Sequence, residues 1–433
     1  MKFIFADSID VVDPGYDMIN DRNSPGRRPY WDDVYPHEIL GHAPYDGILV
    51  SKGIVGDHRI TGKYSQAQAQ RFRREGARKF LRLDNPKFNN LAIFGDCGAF
   101  SYHKEEIPPH TPEEMVEFYD DCDFTHGCSV DHIIFDFDET LHEMEGGTED
   151  ARRRFEITLE NADQFLQIVL HQSNRFIPMG VVQGWSPGSM AVAASRLVKM
   201  GYKYLAIGGM VPLKSPQIRS CLAAIRQVIP NHIQLHILGF AKADDIVTFL
   251  PFNITSFDTT SPLIRAFKDN KQNYFQYNKL QNKIDYFTAI RVPQSIENNS
   301  LKILVKTGVF KAEDLTALEK KSLDALRAFD RGDAGVEDAL DPIMEYNAAI
   351  IYERPLEDVS DLSKLDIYRD RYLRTLTNKP WKKCACAICQ QSSVEVMIFR
   401  ASNRNKRRGI HNLYAYRSML NEIDHGSISD DQY

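Results

Sequence analysis

The sequence predicts an α/β fold, a (β/α)8 TIM-like barrel followed by a helical C-terminal subdomain. Two observations predict the barrel. Eight short runs rich in β-branched and apolar residues recur before residue 260, and stretches of helical periodicity stand between them. A third observation predicts the appendage: beyond about residue 270 helical runs take over, and they lead to a crowd of cysteines. A chain of 433 residues, 43% of them hydrophobic, can fill a barrel core and a further unit. An open doubly wound sheet is the alternative arrangement of the same elements.

In chain order the strands are read in MKFIFADS (1–8), DGILVSKG (46–53), LAIFGD (91–96), HIIFDFD (132–138), IPMGVVQG (177–184), YKYLAIGG (202–209), QLHILGF (234–240) and NITSFD (253–258). Most are apolar without alternation, as parallel strands buried on both faces are. The helices between them include SQAQAQRFRREGARKFL (65–81), TPEEMVEFYDDC (111–122), TEDARRRFEITLENADQFLQIVLHQ (148–172) and SPGSMAVAASRLVKM (186–200). The expected organisation is a barrel core over 1–270, a helical extension over 271–380, a metal-binding segment with a closing helix over 381–424, and a disordered tail over 425–433.

A net charge of −6 carries no global signal for nucleic acid, so any such surface must be a local basic patch. RFRREGARK (71–79) and RNKRR (404–408) are the two candidates, each either a solvated face or a set of phosphate contacts. The apolar run at the N-terminus is too short for a signal peptide and ends at Asp7. No run reaches the roughly 18 apolar residues of a membrane span, so the expected location is cytoplasmic, with no membrane partner. HEILGH (37–42) sets its histidines five apart, off the four-residue spacing of a zinc-protease helix.

Seven cysteines is an odd number, and three form C-x-C-x-x-C at Cys384, Cys386 and Cys389. In a reducing compartment such a cluster points to a metal. With His411 behind it, three thiolates and one imidazole close a tetrahedral Zn²⁺ shell with no open position, which makes the site structural. His425 is the weaker choice of fourth ligand.

In a barrel, catalytic groups stand at the C-terminal ends of strands. Asp96 ends LAIFGD, Asp138 ends HIIFDFD, Gln183 and Gly184 end GVVQG, Gly208 and Gly209 end LAIGG, and Asp258 ends ITSFD. A single strand-end Asp often only caps the next helix. Three of them, with glycine-rich partners on one rim, exceed what capping explains.

These motifs, taken in order, resemble the tRNA-guanine transglycosylases. DCGAF (96–100) is similar to the family's Asp-Ser-Gly-Gly-Phe segment, FDE (137–139) to Phe-Asp-Glu, VVQGW (181–185) to Val-Gln-Gly-Gly, AIGGM (206–210) to Ala-Ile-Gly-Gly-Leu and FDTTSP (257–262) to the Phe-Asp-Cys segment that carries the nucleophile. CACAIC with His411-Asn412 resembles the family's zinc site, and the whole set spans residues 91–412. The resemblance implies exchange of a guanine base in a nucleic acid for a 7-deazaguanine. Asp258 would be the nucleophile that traps C1′, as in retaining glycoside hydrolysis, and Asp96 the general acid/base. Asp138, Gln183, Gly184, Gly208 and Gly209 would bind the base.

The departures from the tRNA enzymes resemble the branch that inserts 7-cyano-7-deazaguanine into DNA. They are the FDTTSPLIR loop, Trp185 in place of Gly, Ala99, and the long segment after Asp13. DNA is therefore the expected polymer and tRNA the alternative. The same resemblance brings an ATPase helper and a homodimer as expected partners. Two other readings stand beside it. Asp136-x-Asp138-x-Thr140 resembles the opening of the Mg²⁺-dependent haloacid-dehalogenase-like phosphatases, with Lys242, Asp244 and Asp245 as further groups, but that reading leaves the cysteine cluster unexplained. A catalytically silent, nucleic-acid-binding partner subunit is the other, and the presence of both Asp96 and Asp258 argues against it.

Overall fold

The computed structural model describes residues 1–172, 175–240 and 243–430, and the backbone alone at 243–244 and 424–430. Lys242 and the side chains of Asp244 and His425 therefore lie outside the described residues. The chain packs as two units, Met1–Ile9 with Tyr45–Thr260, and Asp10–Pro44 with the chain from Ser261 onward.

The first unit is a closed barrel of eight parallel strands in sequence order. They are β1 (Lys2–Ala6), β2 (Gly47–Ser51), β3 (Ala92–Asp96), β4 (His126–Cys128), β5 (Ile177–Val182), β6 (Tyr204–Ile207), β7 (Gln234–Ile237) and β8 (Ser256–Asp258). Closure comes from β1 on β8, with Lys2, Phe3 and Ile4 opposite Ser256, Phe257 and Asp258. Ile4, Leu49, Phe94, Cys128, Met179, Val181, Tyr204 and Ala206 fill the interior as one cluster, so the barrel is a packed core and not a pore. The crossover helices start where their sequences allow. Thr111, Thr148 and Ser186 each accept a backbone N–H from the first turn of the helices Pro112–Asp121, Glu149–His171 and Pro187–Met200. Pro112 and Pro187 sit at the first helical position, and Gly201 closes the last of these helices at φ 119°.

One strand differs from its sequence reading. The fourth strand is HGC at 126–128, not HIIFDFD at 132–138. It pairs with β3 through Gly95–Gly127 and with β5 through Cys128–Met179. Tyr119 explains the choice of residues. A Cβ at Gly95 would lie 2.3 Å from its ring and one at Gly127 2.5 Å, while its hydroxyl donates to the Cys128 carbonyl at 3.1 Å. Two glycines let one tyrosine lie flat on the sheet, and that removes the β-branched signal from the strand. HIIFDFD is apolar for another reason: Ile133 and Ile134 are buried side chains of the irregular segment that follows β4, and the His132 N–H is held by Thr158 Oγ1 at 3.0 Å.

In the second unit, the helices Ala312–Arg331, Val336–Tyr352 and Ser363–Asn378 bury Leu326, Leu340, Ile343 and Leu376 in a common core with Trp381. Residues 10–44, which fall inside the stretch read as barrel core, pack with this unit. The reason is apolar and electrostatic together, since Val12 and Leu40 join that unit's core. Asp21 is buried between Arg400 and Arg404, and Arg404 also pairs with Glu395. The Arg407 guanidinium donates to the Asp13 carbonyl at 2.6 Å. RNKRR (404–408) is thus mostly interior: Arg404 and Arg408 are fully buried, and Arg408 donates to the Ala266 carbonyl at 2.6 Å. In the first unit, RFRREGARK is also largely engaged, with Arg71 on Glu75, Arg73 on the Gly56 carbonyl and Arg78 on the carbonyls of Asn89 and Leu91. The closing helix runs Ser402–Asp430, so the tail expected over 425–433 is helical backbone as far as Asp430, and 431–433 lie outside the described residues. Among the described residues no helix is long and apolar enough to cross a membrane.

Candidate active site and metal centre

A cavity of about 420 Å³ opens at the C-terminal ends of the barrel strands, lined by Asp96, Asp131, Gln183, Gly208, Gly209 and Asp258 among others. Its size suits a small planar ligand. Five of the residues chosen from the sequence therefore meet in one place: Asp96, Gln183, Gly208, Gly209 and Asp258. Gly184 lies just behind the wall, where a Cβ would meet Met190 and Ser189 at 2.8 Å.

Asp138 does not line the cavity. It is exposed, and its carboxylate accepts from its own neighbour, Thr140, at 2.7 Å. This follows from the shift of β4: with the strand ending at Cys128, the carboxylate that reaches the rim is Asp131, which sequence reasoning missed. Asp136, the other acid of the phosphatase-like motif, accepts from Thr148 Oγ1 at 2.8 Å and is likewise exposed. The only signal for Asp131 was its place in SVDHII, three residues past a strand too short and too glycine-rich to notice.

Asp131 is buried and held from two sides. Cys97 Sγ donates to Oδ1 at 2.9 Å and Gln183 Nε2 donates to Oδ2 at 2.7 Å. The Tyr102 hydroxyl reaches Cys97 Sγ at 3.0 Å and the Asp131 carbonyl at 2.9 Å. Gln183 is itself oriented by the Ile134 N–H, 3.3 Å from Oε1. A Cβ at Gly208 would stand 2.3 Å from Gln183 Nε2, so a larger residue there would push that amide aside.

The charges compete. Ligand atoms of Asp96, Cys97 and Asp131 all lie within 4.8 Å of one another. Burial, then the Asp131 carboxylate and more weakly Asp258, push the Asp96 carboxyl up to about 7, against the pull of Ser51 and of the Gly98 N–H. Burial also raises Asp131, while its bonds from Cys97 and Gln183 lower it. Burial and both carboxylates push the Cys97 thiol well up, so it stays protonated as a donor. Carboxylates crowded this way share a proton near neutrality, and Asp96 is placed to carry it.

Asp258 ends β8 and is 6% exposed. Its Oδ1 accepts the Gly239 N–H at 2.9 Å and faces His236 Nε2 at 3.2 Å.

Trp185, one of the departures from the tRNA enzymes, is buried and organises the loop after the missed Asp131. Its Nε1 donates to the Glu145 carbonyl at 2.8 Å, its carbonyl accepts the Asp138 N–H at 2.8 Å, and its ring leaves no room for a Cβ at Gly147.

In the second unit, Cys384, Cys386, Cys389 and His411 converge. The three sulfurs lie 3.4, 3.4 and 3.3 Å from His411 Nδ1. A tetrahedral zinc shell of this type has S···N edges of about 3.5 Å, so the donors stand where such an ion requires them. His411 Nε2 is 2.7 Å from the Phe275 carbonyl, which fixes the tautomer that offers Nδ1 to the cluster. Tyr274 stacks on the imidazole at 4.0 Å and its hydroxyl lies 3.2 Å from Cys389 Sγ. Burial works to lower the His411 imidazole, and the Cys384 and Cys386 sulfurs beside it work to raise it. So dense a set of buried thiols and imidazole fits a divalent cation. Asn412 braces the same region by accepting the Phe275 N–H at 2.9 Å and donating to the Pro262 carbonyl at 3.0 Å.

No family model matches the chain. Among curated proteins, a DNA-guanine transglycosylase of Salmonella montevideo is 38% identical over 415 residues, covering 95% of this chain and 95% of that protein.

Proposed function

Since that identity over nearly the full length makes the chain a member of the DNA-guanine transglycosylases, a branch of the tRNA-guanine transglycosylase-like family, we propose that it replaces guanine in DNA by 7-cyano-7-deazaguanine through a covalent Asp258–sugar intermediate. The observation that carries this reading is the meeting of Asp96, Asp131 and Asp258 in one rim cavity.

The target nucleotide leaves its stack to enter the cavity, at a cost of roughly a few kcal/mol in duplex DNA. Asp131 and Gln183, with the backbone at Gly208 and Gly209, face the planar base. A buried carboxylate that accepts N–H bonds from a guanidine-like edge rejects bases that leave it unpaired. The free Asp258 oxygen forms a bond to C1′ as the bond to N9 breaks, and the electron pair leaves with the guanine. Asp96 gives that guanine a proton, for which its raised affinity suits it. The incoming 7-deazaguanine then attacks C1′ through N9, the ester bond returns its electron pair to Asp258, and the N9 proton passes to Asp96. Two displacements retain the configuration.

Zinc on Cys384, Cys386, Cys389 and His411 would supply a structural crosslink and no open position for chemistry. An ATPase helper and a second copy of the chain are the partners this reading brings with it.

The test is transfer of radiolabelled 7-cyano-7-deazaguanine into duplex DNA and, in parallel, into tRNA, with and without the ATPase of the same modification system. Label in DNA that disappears with Asp258→Ala is the expected result. Label in tRNA alone would overturn the choice of polymer. Label in DNA that survives Asp258→Ala would overturn the covalent route.

A further inference from the structure

The barrel interior beneath Asp258 is polar where a barrel core is ordinarily apolar. Tyr204 on β6, His236 on β7 and Ser256 on β8 are all buried, and they touch in series. Tyr204 Oη lies 2.6 Å from Ser256 Oγ, Ser256 Oγ lies 2.6 Å from His236 Nδ1, and His236 Nε2 lies 3.2 Å from Asp258 Oδ1. The register makes this possible, because His236 stands directly opposite Ser256. Alternation along β8 then puts Ser256 and Asp258 on the same face.

The direction of the series follows from its ends. Burial pushes the Tyr204 hydroxyl up to about 12, against its bond to Ser256, so it remains a donor. Asp258, as a carboxylate, can only accept. A donor at one end and an acceptor at the other set the links between: Tyr204 donates to Ser256, Ser256 donates to His236 Nδ1, and the remaining imidazole proton sits on Nε2, facing Asp258. The opposite order would set the Nε2 lone pair against a carboxylate oxygen. Oδ1 thus receives two donors, His236 and the Gly239 N–H at 2.9 Å, and Oδ2 is the oxygen left for bond formation.

We infer that His236 is a positioning residue for Asp258, locked in its donor tautomer by Ser256 and Tyr204. The inference rests on the reading of Asp258 as nucleophile. Two donors on Oδ1 fix the carboxylate rotamer and direct Oδ2 at C1′. When the Oδ2–C1′ bond has formed, Oδ1 is the ester carbonyl and keeps both donors. When that bond breaks in the second displacement, the electron pair returns to a carboxylate whose charge is already met, as donors in an oxyanion hole meet developing charge. No proton is transferred along the series.

The test compares His236→Phe, His236→Gln, Ser256→Ala and Asp258→Ala by steady-state base exchange, by the rate at which a protein–DNA adduct forms on denaturing gels, and by thermal melting. His236→Phe should lower kcat and the adduct rate by about 10²-fold while KM for the free base changes less than about twofold. His236→Gln, which keeps a side-chain N–H, should recover most of the loss, and Ser256→Ala should show a smaller loss of the same kind. A His236→Phe enzyme with unchanged kcat overturns the inference. So does a loss that appears in KM, or one that Gln fails to rescue in a variant that melts normally. Should His236→Phe fail to fold, Ser256→Ala decides: a fall in kcat at unchanged KM supports the inference, and full activity overturns it. Exchange that persists in Asp258→Ala sinks the underlying reading instead, so the two failures are distinguishable.

Discussion

Replacing Asp96 by Asn should abolish base exchange and, at alkaline pH, make the protein more stable. The carboxyl has an ordinary value of 3.8 and is pushed up to about 7, chiefly by burial and then by Asp131. Ionising it in the folded chain therefore costs about 4 kcal/mol more than in the unfolded chain. The sign follows from proton uptake. Between these two values the unfolded chain has lost the proton and the folded chain keeps it, so stability falls as pH rises. The contribution is complete below about pH 3.8 and is lost by about pH 7. Asn carries no charge to strand and its amide oxygen can still accept the Gly98 N–H, which lies 3.1 Å from Oδ2 in the native site. Paired thermal melts of wild type and Asp96→Asn should coincide near pH 4 and separate by several degrees at pH 8, with the variant higher and an upper bound of about 4 kcal/mol. A variant that melts lower at pH 8, or a gap that does not change with pH, would refute the picture of a buried acid held protonated by its neighbours. The same proton governs rate: guanine release should decline above about pH 7 in wild type as Asp96 ionises.

Gly208→Ala, whose Cβ would meet Gln183 Nε2 at 2.3 Å, should swing Gln183 off Asp131 and raise KM for the base at least tenfold, with melting nearly unchanged. Gly127→Ala drives a methyl to 2.5 Å from the Tyr119 ring, and a cost of about 1–3 kcal/mol should appear as a lower Tm. Cys386→Ser should leave the purified protein with less than stoichiometric zinc by elemental analysis and should lower stability by several kcal/mol. Asp21→Asn strips the shared partner from buried Arg400 and Arg404. A loss of about 3–5 kcal/mol is expected, read as earlier melting and faster proteolytic cutting within residues 10–44.

What could be read in the sequence was local, and what escaped depended on contacts distant in the chain. The cluster of Cys384, Cys386, Cys389 and His411 was legible because four donors of the right kind announce themselves by type and spacing. The β3 and β8 acids were legible because their strands are apolar and end abruptly at Asp96 and Asp258. Asp131 escaped because β4 traded β-branched residues for glycine to admit the Tyr119 ring, and the apolar run after it looked more like a strand than the strand did. Asp138 was chosen in its place for that reason and because FDE (137–139) resembles the Phe-Asp-Glu segment of the family. His236 and Ser256 escaped because their pairing is a matter of register between β7 and β8. RNKRR carried the charge of a nucleic-acid patch, and burial of Arg404 and Arg408 turned it into internal scaffolding for carbonyls and carboxylates.

The segment 10–44 gives the molecule an unusual order of assembly. Asp21 leaves the ribosome well before Arg404, which its carboxylate holds and which follows 383 positions later. The barrel strands and most of the second unit must be made before that buried charge finds its counterpart. A cut through the sequence near residue 270 would part Asp21 from Arg400 and Arg404, leaving those two arginines with Glu319 and Glu395. The second unit is thus discontinuous in the chain, and it could be produced as one piece only if residues 10–44 were moved along the chain to join the arginines they serve.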